Sequence, residues 1–226
     1  KVFLETGIPL NRKVLVDGSD FTIEDLYKGA ILRAYLNPQT NDSSYVSPND
    51  MPWSIQGITS LVEPQQTWLA EGGMMTSSDF LVQFITAVIA SETQTLKKSM
   101  AAGAGFKKDR TGIFQYTCGG AHLLQSVAYA HARGFGNEQT KKELETQIAL
   151  HFYRFPKELQ IYDQLMKTNP DYTVQLLVQR LKFVGHFLET AQKMSMLNLY
   201  VPNEEQIRLM QGAMDQLVLI VRALQQ

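Results

Sequence analysis

The chain has 226 residues, of which 44% are hydrophobic and 19% charged, and its formal net charge is -1. This composition excludes a disordered chain, which is poor in apolar residues, and provides no basic surface for nucleic acid. The longest uncharged apolar stretches fall short of the ~20 residues that span a bilayer, so no membrane partner is expected. The length favours a single domain that spans residues 1–226.

The single cysteine, Cys118, excludes an internal disulfide bond. A domain of this size folds without one, so the redox compartment stays open. Because the chain begins at Lys1 and not at a methionine, we expect a processed or trimmed chain, from which a signal peptide or membrane anchor could have been removed. A cytoplasmic location and an exported or anchored one are therefore both open.

The first part of the chain is predicted to form an extended arm and one helix. Residues 1–20 alternate in hydrophobicity and end in a turn at residues 16–19, and the rest of the chain, 21–226, is assigned to helical hairpins. Thr22 begins the helix, because its hydroxyl can accept hydrogen bonds from the first helical turn. Pro38 disfavours helical geometry in the preceding residue, so the helix is predicted to stop at Asn37.

The middle of the chain alternates between helices and loops. Proline at the first helical position predicts a short helix over residues 52–61, followed by a loop over 63–75. A run of hydroxyl and acidic residues then caps a helix predicted over residues 76–100. The stretch 102–120 is irregular and rich in glycine and basic residues, which makes it the most favourable place for a site.

The second half of the chain is predicted to be almost entirely helical, which makes the fold class all-α with paired antiparallel helices. In the last two helices, apolar residues recur at alternating steps of three and four, typical of a packed antiparallel pair or a coiled-coil seam. Packing within the domain is the first interpretation of the final stripe, residues 207–224, and homodimerisation is the alternative. The five helices are placed near residues 121–133, 138–153, 156–167, 171–197 and 203–225.

Two of these helices share a short pattern, His-x-Leu-[Gln/Glu]-[Ser/Thr], at His122 and again at His186, 64 residues later. On a helix, the polar residues of each copy fall on one face. We therefore predict two polar faces that line a pocket and supply ligand-binding candidates. One face carries His122, Gln125, Ser126 and Tyr129, and the other carries His186, Glu189, Thr190 and Lys193.

The segments Cys-Gly-Gly-Ala-His-Leu, residues 118–123, and Gly-His-Phe-Leu-Glu, residues 185–189, carry a family resemblance. They resemble segments of uncharacterised bacterial α/α-toroid proteins, which are akin to the barrel of terpenoid cyclases and protein prenyltransferases. The resemblance implies helical hairpins around a central cavity that the polar faces of the inner helices line. Because the chain is short for a closed six-hairpin barrel, it implies a partial or decorated toroid.

The resemblance implies no activity for this chain. The cyclases use an Asp-rich protonating motif, and the sequence contains no such run. The prenyltransferases bind zinc through an Asp-x-Cys pattern and a distant histidine. Cys118 and His186 match the last two of these residues, but Tyr116 stands where the pattern requires aspartate.

Cys118, His122 and His186 are the strongest candidates for a catalytic or metal-binding site. Zinc needs three or four such ligands, and the paired ligand motifs that mark zinc sites are missing from this sequence, so no metal or cofactor is expected. A nucleophilic interpretation makes Cys118 the attacking thiolate, favoured by a following helix N-terminus, with His122 or His186 as the base. The alternative is a small cysteine packed beside two glycines.

An anion site is a further candidate at the same place. Gly119 and Gly120 precede a helix start whose free amides can hold a phosphate or a carboxylate. Lys107, Lys108 and Arg110 lie close in sequence and would add positive charge. The alternative is a flexible loop whose basic side chains are solvated.

The sequence assembles no complete catalytic set, so the expected function is a non-catalytic binding or scaffold module for a small molecule or a protein. A hydrolase- or transferase-like enzyme that uses Cys118, His122 and His186 is the alternative, and whether the chain is an enzyme stays open. An oligomerisation domain that pairs through residues 207–224 is the third interpretation.

Overall fold

The computed structural model describes residues 6–37, 40, 44–45, 50–71, 73–105, 108 and 112–225. These residues are mostly helical, so the predicted all-α class is confirmed. None of the described helices is both long enough and apolar enough to cross a membrane.

Eight α-helices, two 3₁₀ turns and four short strands make up the described part of the chain. The helices are α1 Ile23–Arg33, α2 Met51–Leu61, α3 Ser78–Glu92, α4 Gln94–Ala101, α5 Ala121–Ala132, α6 Glu138–Thr168, α7 Thr173–Met196 and α8 Glu204–Leu224. The strands are β1 Lys13–Val16, β2 Ser19–Thr22, β3 Thr67–Leu69 and β4 Met75–Ser77, and the 3₁₀ turns are Gly112–Gln115 and Pro170–Tyr172.

The N-terminal arm contains a β-hairpin in which β1 pairs antiparallel with β2. Asp17 and Gly18 both have positive φ angles, 49° and 80°, and two such residues form the turn that suits the twist of a two-stranded hairpin. Thr22 accepts a hydrogen bond from the amide of Asp25 in a capping box, so the predicted helix start is confirmed. This helix ends at Arg33, four residues before the predicted stop.

Two predictions for the middle of the chain were wrong in detail. The predicted loop over 63–75 contains a second antiparallel hairpin, formed by β3 and β4. The predicted helix over 76–100 divides into α3 and α4 at Thr93. The Thr93 hydroxyl donates a hydrogen bond of 2.7 Å to the carbonyl of Ile89, and such back-bonding by threonine bends a helix.

Helix α6 continues through Pro156, where two helices were predicted. An interior proline costs about 3 kcal/mol because it removes one backbone hydrogen bond and crowds the preceding turn. The flanking side chains Phe152, Phe155 and Tyr162 are buried, and each contributes about 1.5–3 kcal/mol to folding. Tertiary packing on both sides of Pro156 therefore offsets the local cost of the proline.

Helix α5 lies at the centre of the core and packs against α2, α3, α6 and α7. Its side chains Leu123 and Ala128 are fully buried. Between α6 and α7 the core is aromatic, because the rings of Phe155 and Phe187 stack with their centroids 3.8 Å apart. The start of α5 and the aromatic faces of α6 and α7 therefore meet in the interior.

Helix α8 packs on α7, but the face that it buries differs from the predicted stripe. Ala213 and Ile220 are the buried residues of α8. Ile207 is 42% exposed, Met214 60% and Val221 42%, so these members of the predicted stripe face away from the core. The remaining members of the predicted stripe, Met210, Leu217 and Leu224, pack against the core.

Candidate functional site

The two polar faces predicted from the repeated pattern meet each other across the interface of α5 and α7. The Gln125 amide donates a hydrogen bond of 2.8 Å to the hydroxyl of Thr190, and the ammonium of Lys193 donates one of 3.3 Å to the amide oxygen of Gln125. Gln125 and Thr190 are fully buried. Their polar atoms therefore satisfy one another and hold α5 against α7.

Glu189 is the charged centre of this interface. It accepts a hydrogen bond of 2.8 Å from Lys193, and its other oxygen lies 3.3 Å from Nδ1 of His186. Burial raises the pKa of Glu189, but the hydrogen bond and charge of Lys193, with hydrogen bonds from His186 and Gln125, outweigh it and lower the pKa to about 2. Glu189 is thus a carboxylate at neutral pH.

The two histidines of the repeated pattern are neighbours in space. The ring centroids of His122 and His186 lie 4.7 Å apart in an edge-to-face arrangement. The other neighbour of the His122 ring is Trp53 of α2, with the centroids 4.8 Å apart. Helices α2, α5 and α7 thus bring together three aromatic rings, each of which contains nitrogen.

Ser126 and Tyr129 complete the predicted polar face of α5, and the structure places them in packing contacts. The Ser126 hydroxyl donates to the carbonyl of Leu123 in its own helix. The Tyr129 hydroxyl lies 3.2 Å from the hydroxyl of Ser60 on α2. Lys107 and Arg110, the other predicted ligand-binding residues, lie outside the described residues.

A cavity of about 40 Å³ lies beside the start of α5, between the 3₁₀ turn Gly112–Gln115 and helices α6 and α7. A water molecule needs roughly 10–15 Å³ measured in this way, so the space suits about three waters or one small molecule. Cys118 and His186 both line it, together with His151 and Arg154. His122 is not one of the described residues that line the cavity.

Arg154 is the charged group of the cavity wall and is only 7% exposed. Its Nε atom donates to Glu158 at 2.5 Å, and its Nη1 atom donates to the carbonyl of Gly119 at 2.9 Å. Within the described part of the chain, the buried Nη2 atom has no hydrogen-bond partner. The guanidinium carbon lies 5.1 Å from the ring centroid of Phe114 and 5.2 Å from that of Phe183, so both rings contact the cation.

Two cations share one carboxylate behind the cavity. Glu158 is fully buried and accepts from Arg154 on one oxygen and from Lys108, at 2.6 Å, on the other. Lys108 is one of the basic residues that the sequence places near an anion site. Lys108, Arg154 and Glu158 together carry one excess positive charge.

Sequence reasoning missed Arg154 as a site residue. The signal that could have found it is the segment Tyr153-Arg154-Phe155, in which a charged residue stands between two aromatic ones on a helix. An acid four residues later, Glu158, lies on the same helix face. Such a pair among apolar neighbours indicates a buried ion pair.

His151 of α6 also lines the cavity. Its Nε2 atom lies 3.0 Å from the carbonyl oxygen of Phe187 and donates to it. Burial lowers the pKa of His151 to about 4, the hydrogen bond to Phe187 opposes this shift, and the charge of Arg154 adds to it. His151 is therefore neutral at pH 7.

We expect the protein to lose stability in acid because of His151. Its pKa falls from an ordinary value of 6.5 to about 4 on folding, so between these pH values the unfolded chain binds a proton that the folded chain does not. The stability from a neutral His151 is complete above pH 6.5 and is lost as the pH falls to 4, by no more than about 3 kcal/mol. Urea unfolding between pH 7.5 and 4 measures this loss.

Substituting His151 with glutamine keeps a side-chain amide that can donate to Phe187 but removes the titration. The His151→Gln variant should therefore show a flatter dependence of stability on pH over the same range. A wild-type free energy of unfolding that stays constant from pH 6.5 to 4 would contradict the prediction. Glu189, with its pKa near 2, adds a further loss only below its ordinary value of 4.5.

The described residues contain no cluster of three histidine, cysteine, aspartate or glutamate side chains that could hold a metal ion. Comparison with protein-family models, with curated proteins and with solved structures finds no match to this chain. A functional assignment therefore depends on the chemistry of the cavity and of the side chains around it.

Proposed function

We propose that this chain is a helical binding module that holds a small polar molecule in the cavity at the start of α5. The observation that carries the proposal is the meeting of Cys118, Arg154 and His186, from three separate elements, in the wall of one cavity. A partial α/α-toroid, as the resemblance implies, is part of the same proposal. The position of the cavity among α5, α6 and α7 supports it.

The composition of the cavity wall favours a ligand over a purely structural void. Most of the wall is apolar, with a few polar side chains directed from different elements, which is the usual composition of a small-molecule site. The Nη2 atom of Arg154 has no partner among the residues that the structure describes, and an unused donor costs folding free energy when it is buried. A ligand that accepts a hydrogen bond there would remove that cost.

Cys118 provides a reporter for occupancy of the cavity. It is the only cysteine in the chain, it is partly exposed, and it lies in the cavity wall. We would screen polar fragments for a rise in melting temperature, and then measure the rate at which a disulfide reagent labels Cys118. A ligand of the cavity should raise the melting temperature through its affinity for the folded state and slow the labelling.

The Cys118→Ser variant is the matched control for this screen. It should keep the rise in melting temperature, because the hydroxyl preserves the shape of the wall. A fragment that stabilises the protein without slowing the labelling binds elsewhere. If no fragment both stabilises the protein and protects Cys118, the cavity is not a ligand site and the proposal fails.

A Cys/His enzyme is the second candidate, because the thiol of Cys118 and the imidazole of His186 share the cavity. A hydrolase or transferase of this kind needs His186, or its neighbour His122, to take the proton of the thiol. We would measure alkylation of Cys118 by iodoacetamide in the His186→Asn and His122→Asn variants. A binding module keeps the wild-type alkylation rate within about twofold, whereas loss of a catalytic base slows it by roughly 100-fold or more.

An oligomerisation module is the third candidate, favoured by the exposed apolar face of α8 that Ile207, Met214 and Val221 form. The occupant that suits this face is a second copy of the chain in an antiparallel arrangement. Glu204 lies at the start of α8 and Arg222 at its end. Antiparallel pairing would place each acid near the basic residue of the other copy.

The Met214→Glu variant tests this dimer. A charge in the middle of the paired faces should shift the mass measured by light scattering from two chains to one chain of 25.5 kDa. The control Gln192→Glu adds the same charge at an exposed position of α7 and should leave the mass unchanged. A wild-type mass of one chain at millimolar concentration would exclude the dimer.

A further inference from the structure

We infer that the molecule held in this cavity is a small monoanionic carboxylate of about the size of formate or acetate, bound by Nη2 of Arg154. This inference depends on the proposed binding function and names the chemistry of its ligand. It follows from the charge around the cavity, the orientation of the guanidinium, the adjoining helix start and the size of the space.

Among the described residues Lys108, Arg154 and Glu158, one positive charge has no counter-charge within the group. Lys108 and Arg154 are cations, and Glu158 between them supplies a single carboxylate. His151 in the same wall is held neutral, since burial and the charge of Arg154 lower its pKa to about 4. A buried charge is costly unless it is paired, so a monoanion would complete the neutralisation that Glu158 begins.

The hydrogen bonds of Arg154 leave one of its guanidinium nitrogens for a ligand. Nε and Nη1 are engaged by Glu158 and by the carbonyl of Gly119, and the guanidinium also contacts the rings of Phe114 and Phe183. Nη2 is buried and has no partner among the described residues. Hydrogen bonds from a guanidinium to a carboxylate oxygen are about twice as strong as those between neutral groups.

Gly119 is what allows the guanidinium to take this position. It has a positive φ of 49°, and a Cβ atom there would lie 2.2 Å from both Nη1 and Nη2 of Arg154. Any side chain at residue 119 would therefore push the guanidinium away from the cavity wall. The glycine pair that precedes α5 thus has a specific consequence for the charged group beside it.

The start of α5 adds a second attraction for an anion. Gly120 is the residue before the helix, and Gly120 and Ala121 both line the cavity. The first amides of a helix carry partial positive charge and favour an anion nearby. This contribution acts together with Arg154, whose buried Nη2 lacks a partner in the described ranges and distinguishes this helix start from an ordinary one.

The volume of the cavity determines which anions fit. A volume of about 40 Å³ accommodates on the order of three water molecules, which suits formate or acetate. A phosphate dianion exceeds the single excess charge, and a long-chain acid exceeds the space. The expected order of affinity is therefore acetate and formate first, phosphate weaker, and the neutral isostere acetamide weakest.

The test titrates the wild-type protein with sodium acetate, formate, phosphate and acetamide at constant ionic strength. Protection of Cys118 from labelling is the first readout, and the NMR signals of arginine Nε–H groups are the second. Acetate should bind more tightly than acetamide by roughly 10- to 100-fold, because acetamide lacks the charge that strengthens the hydrogen bond to Arg154. The arginine signal that acetate shifts should be the one missing in the Arg154→Lys variant.

Two variants make the result decisive. Arg154→Lys keeps the charge but loses the geometry of the guanidinium and should weaken acetate binding by roughly 10-fold or more. Asp109→Asn removes the carboxylate that follows Lys108 in the sequence. If acetate binds only to the Asp109→Asn variant, the cation is neutralised by the chain itself and the inference is overturned. If Arg154→Lys does not fold, the arginine signals of the wild type still report on the site.

The outcomes separate the inference from the proposed function. If neutral fragments protect Cys118 and acetate does not, the cavity binds a ligand but the carboxylate inference is wrong. If neither anions nor neutral fragments protect Cys118, both fail. Protection by acetate with a shifted Arg154 signal, and weak protection by acetamide, supports both.

Discussion

Replacing Glu158 with alanine is expected to lower the free energy of unfolding by about 3–5 kcal/mol, because it leaves the buried Arg154 and the partly buried Lys108 without their shared counter-ion. Glu158 is 0% exposed and accepts hydrogen bonds from Arg154 and Lys108. Once the carboxylate is removed, neither cation keeps the partner that balances its loss of solvent. Urea unfolding monitored by circular dichroism measures the loss directly.

Two controls separate charge from shape. Glu158→Gln keeps the volume and one acceptor but removes the charge, so its loss should fall between the wild type and the alanine variant. Asp163→Ala breaks the pair with Arg180 where the carboxylate is half exposed and should cost no more than about 1 kcal/mol. If Glu158→Ala costs as little as Asp163→Ala, the pairing at Glu158 contributes little to stability.

Helix starts are the part of this fold that could be predicted from sequence, because they depend on neighbouring residues. Thr22 and Asn203 each accept a hydrogen bond from the backbone amide three residues on, and a short polar side chain before an apolar periodic segment is enough to show this. The helix continuing through Pro156 was not predictable. It depends on aromatic packing from residues far away in the chain, which local propensity does not contain.

The candidate site likewise contains features that the sequence pattern indicated and features that only the tertiary structure shows. The repeated pattern drew attention to His122 and His186, and the structure places their ring centroids 4.7 Å apart. The polar face around Gln125 was expected to be open, but it is closed by Thr190 and Lys193 of the facing helix. A periodic pattern gives the side of a helix on which a residue lies, and only tertiary structure gives what covers that side.

The charged group of the cavity is the clearest case of what sequence reasoning could not supply. Lys107, Lys108 and Arg110 were chosen as cations because they are close to Gly119 in the sequence. The cation that reaches Gly119 is Arg154, which donates to its carbonyl at 2.9 Å from 35 residues further along the chain. The anion-site hypothesis named Gly119 and Gly120 but not Arg154, the cation that contacts Gly119 in the structure.

The aromatic wall of the cavity leads to the second large prediction. Phe187 is 1% exposed, stacks on Phe155 with ring centroids 3.8 Å apart and on His151 at 4.8 Å. Its backbone carbonyl accepts the hydrogen bond from His151. Phe187 therefore supports the hydrophobic core and also covers the imidazole of His151. Burial lowers the pKa of that imidazole.

Replacing Phe187 with alanine is expected to cost about 3–5 kcal/mol, because it removes a buried ring and leaves a cavity next to an existing one. The change also admits water to His151, so the pKa of the imidazole should rise from about 4 towards its ordinary 6.5. The loss of stability in acid should then become smaller, although the hydrogen bond to the backbone carbonyl of residue 187 is kept. Unfolding in urea at pH 7.5 and pH 5 gives both quantities.

Phe187→Leu is the matched control, since it keeps an apolar side chain of similar size and should cost less than about 2 kcal/mol. Tyr172→Ala removes an aromatic ring that is 61% exposed and should change stability by less than about 0.5 kcal/mol. A cost for Phe187→Ala no larger than that of Tyr172→Ala would mean that the aromatic stack adds little to the core. An unchanged acid dependence in Phe187→Ala would mean that desolvation by this ring does not set the pKa of His151.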